Sequence, residues 1–163
     1  PRRFACVDAA GLWLCDAGWL PACLLDKLQS VMNAAARLVC SARKYDHVTP
    51  LLRELHWLRV PQRIAFRLAV YAYRCQHGLT PPYLSADIRR VADADSRRQL
   101  RSASAAELLL PPTNHVTIGD RAFPVAAARA WNSLPPYVTS SPSLPVFRSR
   151  LKTELFARSF DAV

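Results

Sequence analysis

The sequence predicts a mainly α-helical fold with a small β element around residues 107–125. Apolar residues recur at helical spacing in three separate stretches. Thirteen prolines against four glycines cut the chain into short pieces, several of which begin where a helix tolerates proline. The apolar run ELLLPP at 107–112 is too short for a helix and reads as a strand. With 163 residues, 51% of them hydrophobic, the chain fits one modest domain or a small domain with tails.

Residues 1–23 form a poorly defined apolar segment. Asp8 and Asp16 interrupt the apolar stretch 4–25. A central aspartate costs about 3 kcal/mol on membrane insertion, so neither a membrane span nor a signal peptide is predicted. The first residue is Pro1, not Met, which leads us to expect a piece of a longer reading frame, truncated near this end.

Residues 24–90 form a helical, basic segment. Over 24–43, Leu25, Leu28, Met32, Ala35 and Val39 make one helical stripe. Thr49 and Pro50 read as an N-cap and a first-turn proline, opening a short helix through about His56. Pro61 opens a longer helix with Ile64, Leu68, Tyr71 and Cys75 as its apolar stripe and Gly78 as its stop. Thr80-Pro81-Pro82 ends that unit and starts a short helix through Tyr83 and Leu84.

Residues 91–106 read as a polar, Arg-rich loop. Residues 107–163 read as short strands followed by a helix. ELLLPP is expected to pair with 116–118 or 122–125, and the last helix is expected to begin near Ser143. That helix should bury Phe147, Leu151 and Leu155 and turn Arg148, Arg150 and Lys152 outward. No internal repeat is present.

The formal net charge is +10, from 22 Lys+Arg against 12 Asp+Glu, with a pI near 10. Such a surface fits a phosphate-bearing partner, RNA or DNA, better than a neutral small molecule, and none is predicted as a substrate. Only Lys27, Lys44 and Lys152 are lysines. A guanidinium forks onto two phosphate oxygens and stacks on a base, so the arginine bias fits nucleic acid; GC-rich coding sequence is the bland alternative. Residues 24–80 hold nine basic and three acidic side chains, so the helical centre carries most of the field.

Arg63, Arg67 and Arg74 fall nearly in register on one face of the long helix and are the first candidate phosphate contacts. Arg97, Arg98 and Arg101 in the polar loop are the next. The competing reading is an ordinary solvated helix face. Trp13, Trp19, Trp57 and Trp131 are spaced irregularly and read as core more than as base-stacking groups.

Catalysis and metal binding leave no signature. His47, His56, His77 and His115 are scattered, with no nucleophile elbow, phosphate loop, paired metal-binding histidines or Asp-Asp dipeptide. His56 beside Trp57 reads as a structural histidine at a helix end. Cys6, Cys15, Cys23, Cys40 and Cys75 are an odd set with no disulfide framework, which fits a reducing, intracellular compartment. Cys75 and His77 make a lone C-x-H that implies no zinc. No cofactor is expected.

Four ordered blocks add a resemblance. LDKLQSVMNAAARLV (25–39), DHVTPLLRELHWLRVPQRIAFRLAVYAYRCQHGLTPPYL (46–84), GDRAFPVAAARAWNSLP (119–135) and SLPVFRSRLKTELF (143–156) resemble the C-terminal region of reverse transcriptases from non-LTR, LINE-type retrotransposons. The resemblance covers about residues 25–160. It implies a segment downstream of fingers, palm and thumb in an RNA-directed DNA polymerase that copies its RNA at a nicked chromosomal target. The segment would have no catalysis of its own and would supply RNA or DNA contacts or packing.

The polymerase aspartate motif and the C-terminal Cys/His knuckle of some LINE proteins are both absent from this sequence, and residues 4–24 match only loosely. Two rival expectations stand beside it: a structural or protein-interaction module docking on the polymerase body, and a non-functional retrotransposon remnant.

Overall fold

The computed structural model describes residues 22–93, 107–112 and 122–160. Among these, seven α-helices follow one another: α1 (Ala22–Val39), α2 (Val48–Glu54), α3 (Val60–Gln76), α4 (Pro82–Ser85), α5 (Phe123–Asn132), α6 (Pro136–Thr139) and α7 (Leu144–Phe160), with a 3-10 turn at Val91–Asp93 between α4 and α5. The mainly helical class is as the sequence predicts.

Three of the helix ends close the same way, and only one of them uses glycine. Beyond α3, Gly78 sits at φ 66°, its N–H bonds the Cys75 carbonyl at 3.3 Å, and the Leu79 N–H reaches back to the Arg74 carbonyl at 2.8 Å. This double closure satisfies carbonyls the helix would otherwise leave open. Ser41 (φ 51°) does the same beyond α1, where the Ala42 N–H bonds the Arg37 carbonyl at 2.8 Å. His56 (φ 51°) does it beyond α2, with the Trp57 N–H on the Leu52 carbonyl at 2.9 Å.

These closures correct two expected boundaries. The first helix stops at Val39 instead of running to 43, and α2 stops at Glu54. At its start the N-cap position is His47, which makes no side-chain cap, so Thr49 and Pro50 lie inside the helix. Proline fits there because first-turn N–H groups have no intrahelical acceptor to lose.

α3 is the centre of the fold and packs along α5 and α7. Gln62, Ala69, Val70, Ala72, Tyr73 and Cys75 are its buried residues beyond Val60. The expected stripe is therefore displaced: Cys75 is buried, Ile64 and Leu68 are half-buried, and Tyr71 is exposed. A helix covered on two sides has no single apolar face, and alanines fill the seam because they let two backbones approach closely. α5 matches it, with Val125, Ala126, Ala127, Ala128 and Trp131 all buried.

The main core joins Tyr73, Ala69, Ala127, Trp131, Val138, Phe147, Leu151 and Leu155 with Leu58 and Leu108. Segments 24–90 and 107–163 thus share one core. In α7, Phe147 and Leu151 are fully buried and Leu155 nearly so, while Arg148, Arg150 and Lys152 are exposed, as expected. A second, smaller cluster joins Ala36 of α1, Leu52 of α2 and Phe160 of α7.

The expected β element is corrected. Among the described residues Leu108 makes only an isolated antiparallel bridge with Arg90. The stretch from 123 onward is the helix α5, since FPVAAARAWN places Pro in the first turn and is rich in alanine. Residues 116–118, the other expected partner, lie outside the described residues, as do 1–21 and most of the polar loop.

On the surface, α6 is tied to α7 by a Tyr137 hydroxyl that donates to the Glu154 carboxylate. This bond holds Glu154 below the usual carboxylate range and Tyr137 above the usual tyrosine value. Arg158 adds to the lowering through its own bond to Glu154 at 2.7 Å.

Candidate nucleic-acid interface

The outer face of α3 presents Arg63, Arg67 and Tyr71 at successive turns, all three exposed. Residues four apart on a helix share a face, about 6 Å apart along the axis. Arg63 is held in place: its Nε donates to the Leu58 carbonyl at 3.1 Å, and its guanidinium lies over the Trp57 ring, 5.7 Å from the centroid. The terminal nitrogens remain to donate to an incoming anion, from a group whose orientation is already set. Arg67 has no side-chain partner among the described residues.

Arg74 lies two turns beyond Arg67 and is half-buried, with its Nε enclosed and unpartnered among the described residues. The structure therefore brings Arg63 and Arg67 together and sets Arg74 further along, less accessible. Arg97, Arg98 and Arg101 lie outside the described residues.

Sequence reasoning missed Tyr71, which it assigned to the buried stripe. Its ring meets Phe123 of α5 edge-on, with centroids 6.4 Å apart and planes at 84°. The signal was present in the spacing, because Tyr71 follows Arg67 by four residues and Arg63 by eight.

Many other arginines have structural work. Arg37 reaches the Asp46 carbonyl at 3.3 Å, Arg53 the Phe160 carbonyl at 3.2 Å, and Arg90 the Gln76 carbonyl at 3.5 Å. Arg150 donates to the Tyr137 carbonyl at 2.7 Å and Arg158 to the Ser133 carbonyl at 2.9 Å. Arg53 and Arg59 also gather at the C-terminal end of α7, where Arg59 lies over the Phe160 ring at 5.6 Å. Positive charge there complements the helix dipole. Part of the arginine bias is thus a set of braces on loop and helix-end carbonyls.

His56, His77, Cys75 and Trp131 have packing or bonding partners within the fold, whereas His47 and Cys23 are exposed. His56 stacks on Phe156 (5.5 Å, 17°) and its Nδ1 meets the Glu54 carbonyl at 3.1 Å, at the helix end where the sequence places a structural histidine. With Thr49, Pro50 and Arg53 it lines an open cleft of about 640 Å³. Cys75 accepts from Thr80 Oγ1 at 3.5 Å, and the His77 ring lies on Tyr73 at 4.1 Å. Trp131 is core and Trp57 half-buried; Trp13, Trp19 and His115 fall outside the described residues.

Among the described residues no group of three or more potential ligands could hold a metal ion, and no helix is long and apolar enough to cross a membrane. In comparisons with known proteins, no family model, no curated protein and no solved structure matches the chain.

Proposed function

We propose that this chain is the non-catalytic C-terminal part of a LINE-type RNA-directed DNA polymerase, acting inside the cell and contributing contacts to RNA or DNA. The observation that supports the contact role is the pair Arg63 and Arg67, exposed one turn apart on α3, the first pre-oriented over Trp57 and the second unpartnered among the described residues. The resemblance of the four sequence blocks is what supports the family reading. Phosphates suit this pair because both arginines project from a preformed helix and the Arg63 guanidinium is already held over Trp57, so that little backbone freedom, and for Arg63 little side-chain freedom, is lost on binding.

Replacing Arg63, Arg67 and Arg74 together with Gln is expected to weaken binding alike for unrelated sequences. The slope of log affinity against log salt should flatten by about two to three counterion units, roughly one per lost contact. Most of the change should come from Arg63 and Arg67. Salt-dependent fluorescence anisotropy measures it, and an unchanged slope in a variant that circular dichroism finds folded removes these arginines as phosphate contacts.

A second reading, docking on the polymerase body, is favoured by α1. Leu24, Leu28, Val31 and Leu38 are all exposed, Val31 to 68% and Leu38 to 83%. With Ala35 they follow the alternating four-and-three spacing of a helix seam that packs on another helix. Replacing Val31 and Leu38 with Lys is expected to leave thermal stability within about 0.5 kcal/mol, since neither side chain is covered. The same variant should associate more weakly with a LINE-type polymerase body lacking this segment. Unchanged association would retire the docking reading.

A further inference from the structure

We propose that Tyr71 is a stacking platform for an unpaired base, so that the α3 face takes a single strand in preference to a duplex. This rests on the nucleic-acid reading above and goes beyond it by naming the form of the ligand.

Two adjacent guanidiniums alone do not distinguish a duplex from a single strand, because both present phosphates. An exposed aromatic ring in the same row does, since only an unpaired base offers its π-face. Tyr71 is 44% exposed one turn beyond Arg67 and two turns beyond Arg63. The three groups therefore span about 12 Å along one rigid helix, with phosphate-binding groups at one end and a flat ring at the other. The edge-on contact with Phe123 steadies the ring, so little rotamer freedom is lost when a base settles on it.

The other exposed tyrosines lack this setting. Tyr137 belongs to the four-residue α6, and its hydroxyl is bonded to the Glu154 carboxylate, which Arg158 in turn engages, so neither the tyrosine nor that arginine is free for a ligand. Tyr83 belongs to the four-residue α4 with Asp87 four positions on, and Tyr45 lies in the α1–α2 loop beside Asp46. Tyr71 alone among these shares a long helix face with two exposed arginines and no carboxylate: within α3 no acidic residue occurs. The charge along this face is of one sign, which is what a nucleic-acid backbone requires.

The test compares a labelled oligothymidylate and oligouridylate with a blunt DNA duplex of the same length, by fluorescence anisotropy on the full chain. Tyr71→Leu keeps apolar cover over Phe123 and removes only the π-face. It is expected to weaken binding of both single strands about tenfold, the effect of one lost base–aromatic stack, and to leave duplex binding within about twofold. Tyr71→Phe should bind as the wild type does, and Tyr83→Ala should too.

Single-strand binding unchanged in Tyr71→Leu, or a loss shared equally by the duplex, overturns the proposal. If in that case Arg67→Gln still flattens the salt slope, the nucleic-acid reading survives and only the stacking role falls. If the wild-type chain binds neither form, both fall together.

Discussion

Replacing Tyr73 with Ala is expected to remove about 3–5 kcal/mol of stability, the range for truncating a buried aromatic side chain. Small domains have a total of about 5–15 kcal/mol, so the variant should be largely unfolded or near its midpoint without denaturant. The ring is 2% exposed and sits where α3, α5 and α7 meet. It stacks on Phe147 (4.5 Å, 24°), tilts against Trp131 (6.4 Å) and covers His77 (4.1 Å). Its hydroxyl donates to the buried Ser141 carbonyl at 3.2 Å, which ties the turn after α6 to the core.

Tyr73→Phe separates the two contributions. It keeps the ring contacts and leaves the Ser141 carbonyl without its donor, so a loss of about 1–2 kcal/mol is expected. Urea unfolding followed by far-UV circular dichroism reads both variants. An Ala variant as stable as the Phe variant would mean that the ring is not the centre of the core.

What the sequence made legible follows from how each helix packs. The α7 stripe at Phe147, Leu151 and Leu155 was readable because that helix buries one face and turns arginines outward on the other. α3 was readable as a helix but not in its orientation. It is packed by α5 on one side and α7 on another, and the residues in the seams include Ala69 and Ala72, which carry little weight in a hydrophobic pattern. Choosing the larger Ile64, Leu68 and Tyr71 as the stripe set the buried face wrongly, and that error hid Tyr71 as a surface group.

The helix ends divide in the same way. Gly78 announced its left-handed turn, whereas Ser41 and His56 take that conformation with side chains that usually avoid it. At His56 the closure is accompanied by a contact distant in sequence, the stacking of its ring on Phe156, which lies a hundred residues on in the chain.

The candidate site was legible in part. The four-residue spacing of Arg63 and Arg67 fixes their shared face in any helix. The braces were not legible, because an arginine that reaches a carbonyl carries no local mark of it; Arg53 and the Phe160 carbonyl are 107 residues apart. Composition alone could not separate these braced arginines from those free to meet a partner, and folding makes the separation.

Replacing Asn132 with Ala is expected to cost about 2–4 kcal/mol, although Asn132 lies at the surface, where substitutions usually change stability by about 0.5 kcal/mol or less. The reason is Leu108, which is 1% exposed and, among the described residues, pairs with backbone on one edge only. On its other edge the flanking residues pair with 89–91, through Val91 N–H to the Glu107 carbonyl at 2.9 Å and Leu109 N–H to the Arg89 carbonyl at 2.8 Å. The backbone of Leu108 itself is completed by the Asn132 amide: the Leu108 N–H donates to Oδ1 at 2.9 Å, and Nδ2 donates to the Leu108 carbonyl at 2.9 Å.

One side chain at the end of α5 thus makes to Leu108 the pair of bonds that a neighbouring strand would make. Ala would leave both buried groups unsatisfied and loosen Leu108 from the core, each lost partner costing about 1–3 kcal/mol. Asn132→Asp is the sharper variant. Its carboxylate can accept from the N–H but cannot donate to the carbonyl, so the folded state favours the protonated acid and raises that group's pKa. Stability of the Asp variant should therefore rise as pH falls through the raised folded value, opposite to what ordinary loss of surface charge pairing predicts. Urea midpoints across a pH series, with hydrogen exchange at the Leu108 amide, measure both effects. An Ala variant within about 0.5 kcal/mol of the wild type, with the Leu108 amide still protected, would show that the bridge to 89–91 holds this segment without Asn132.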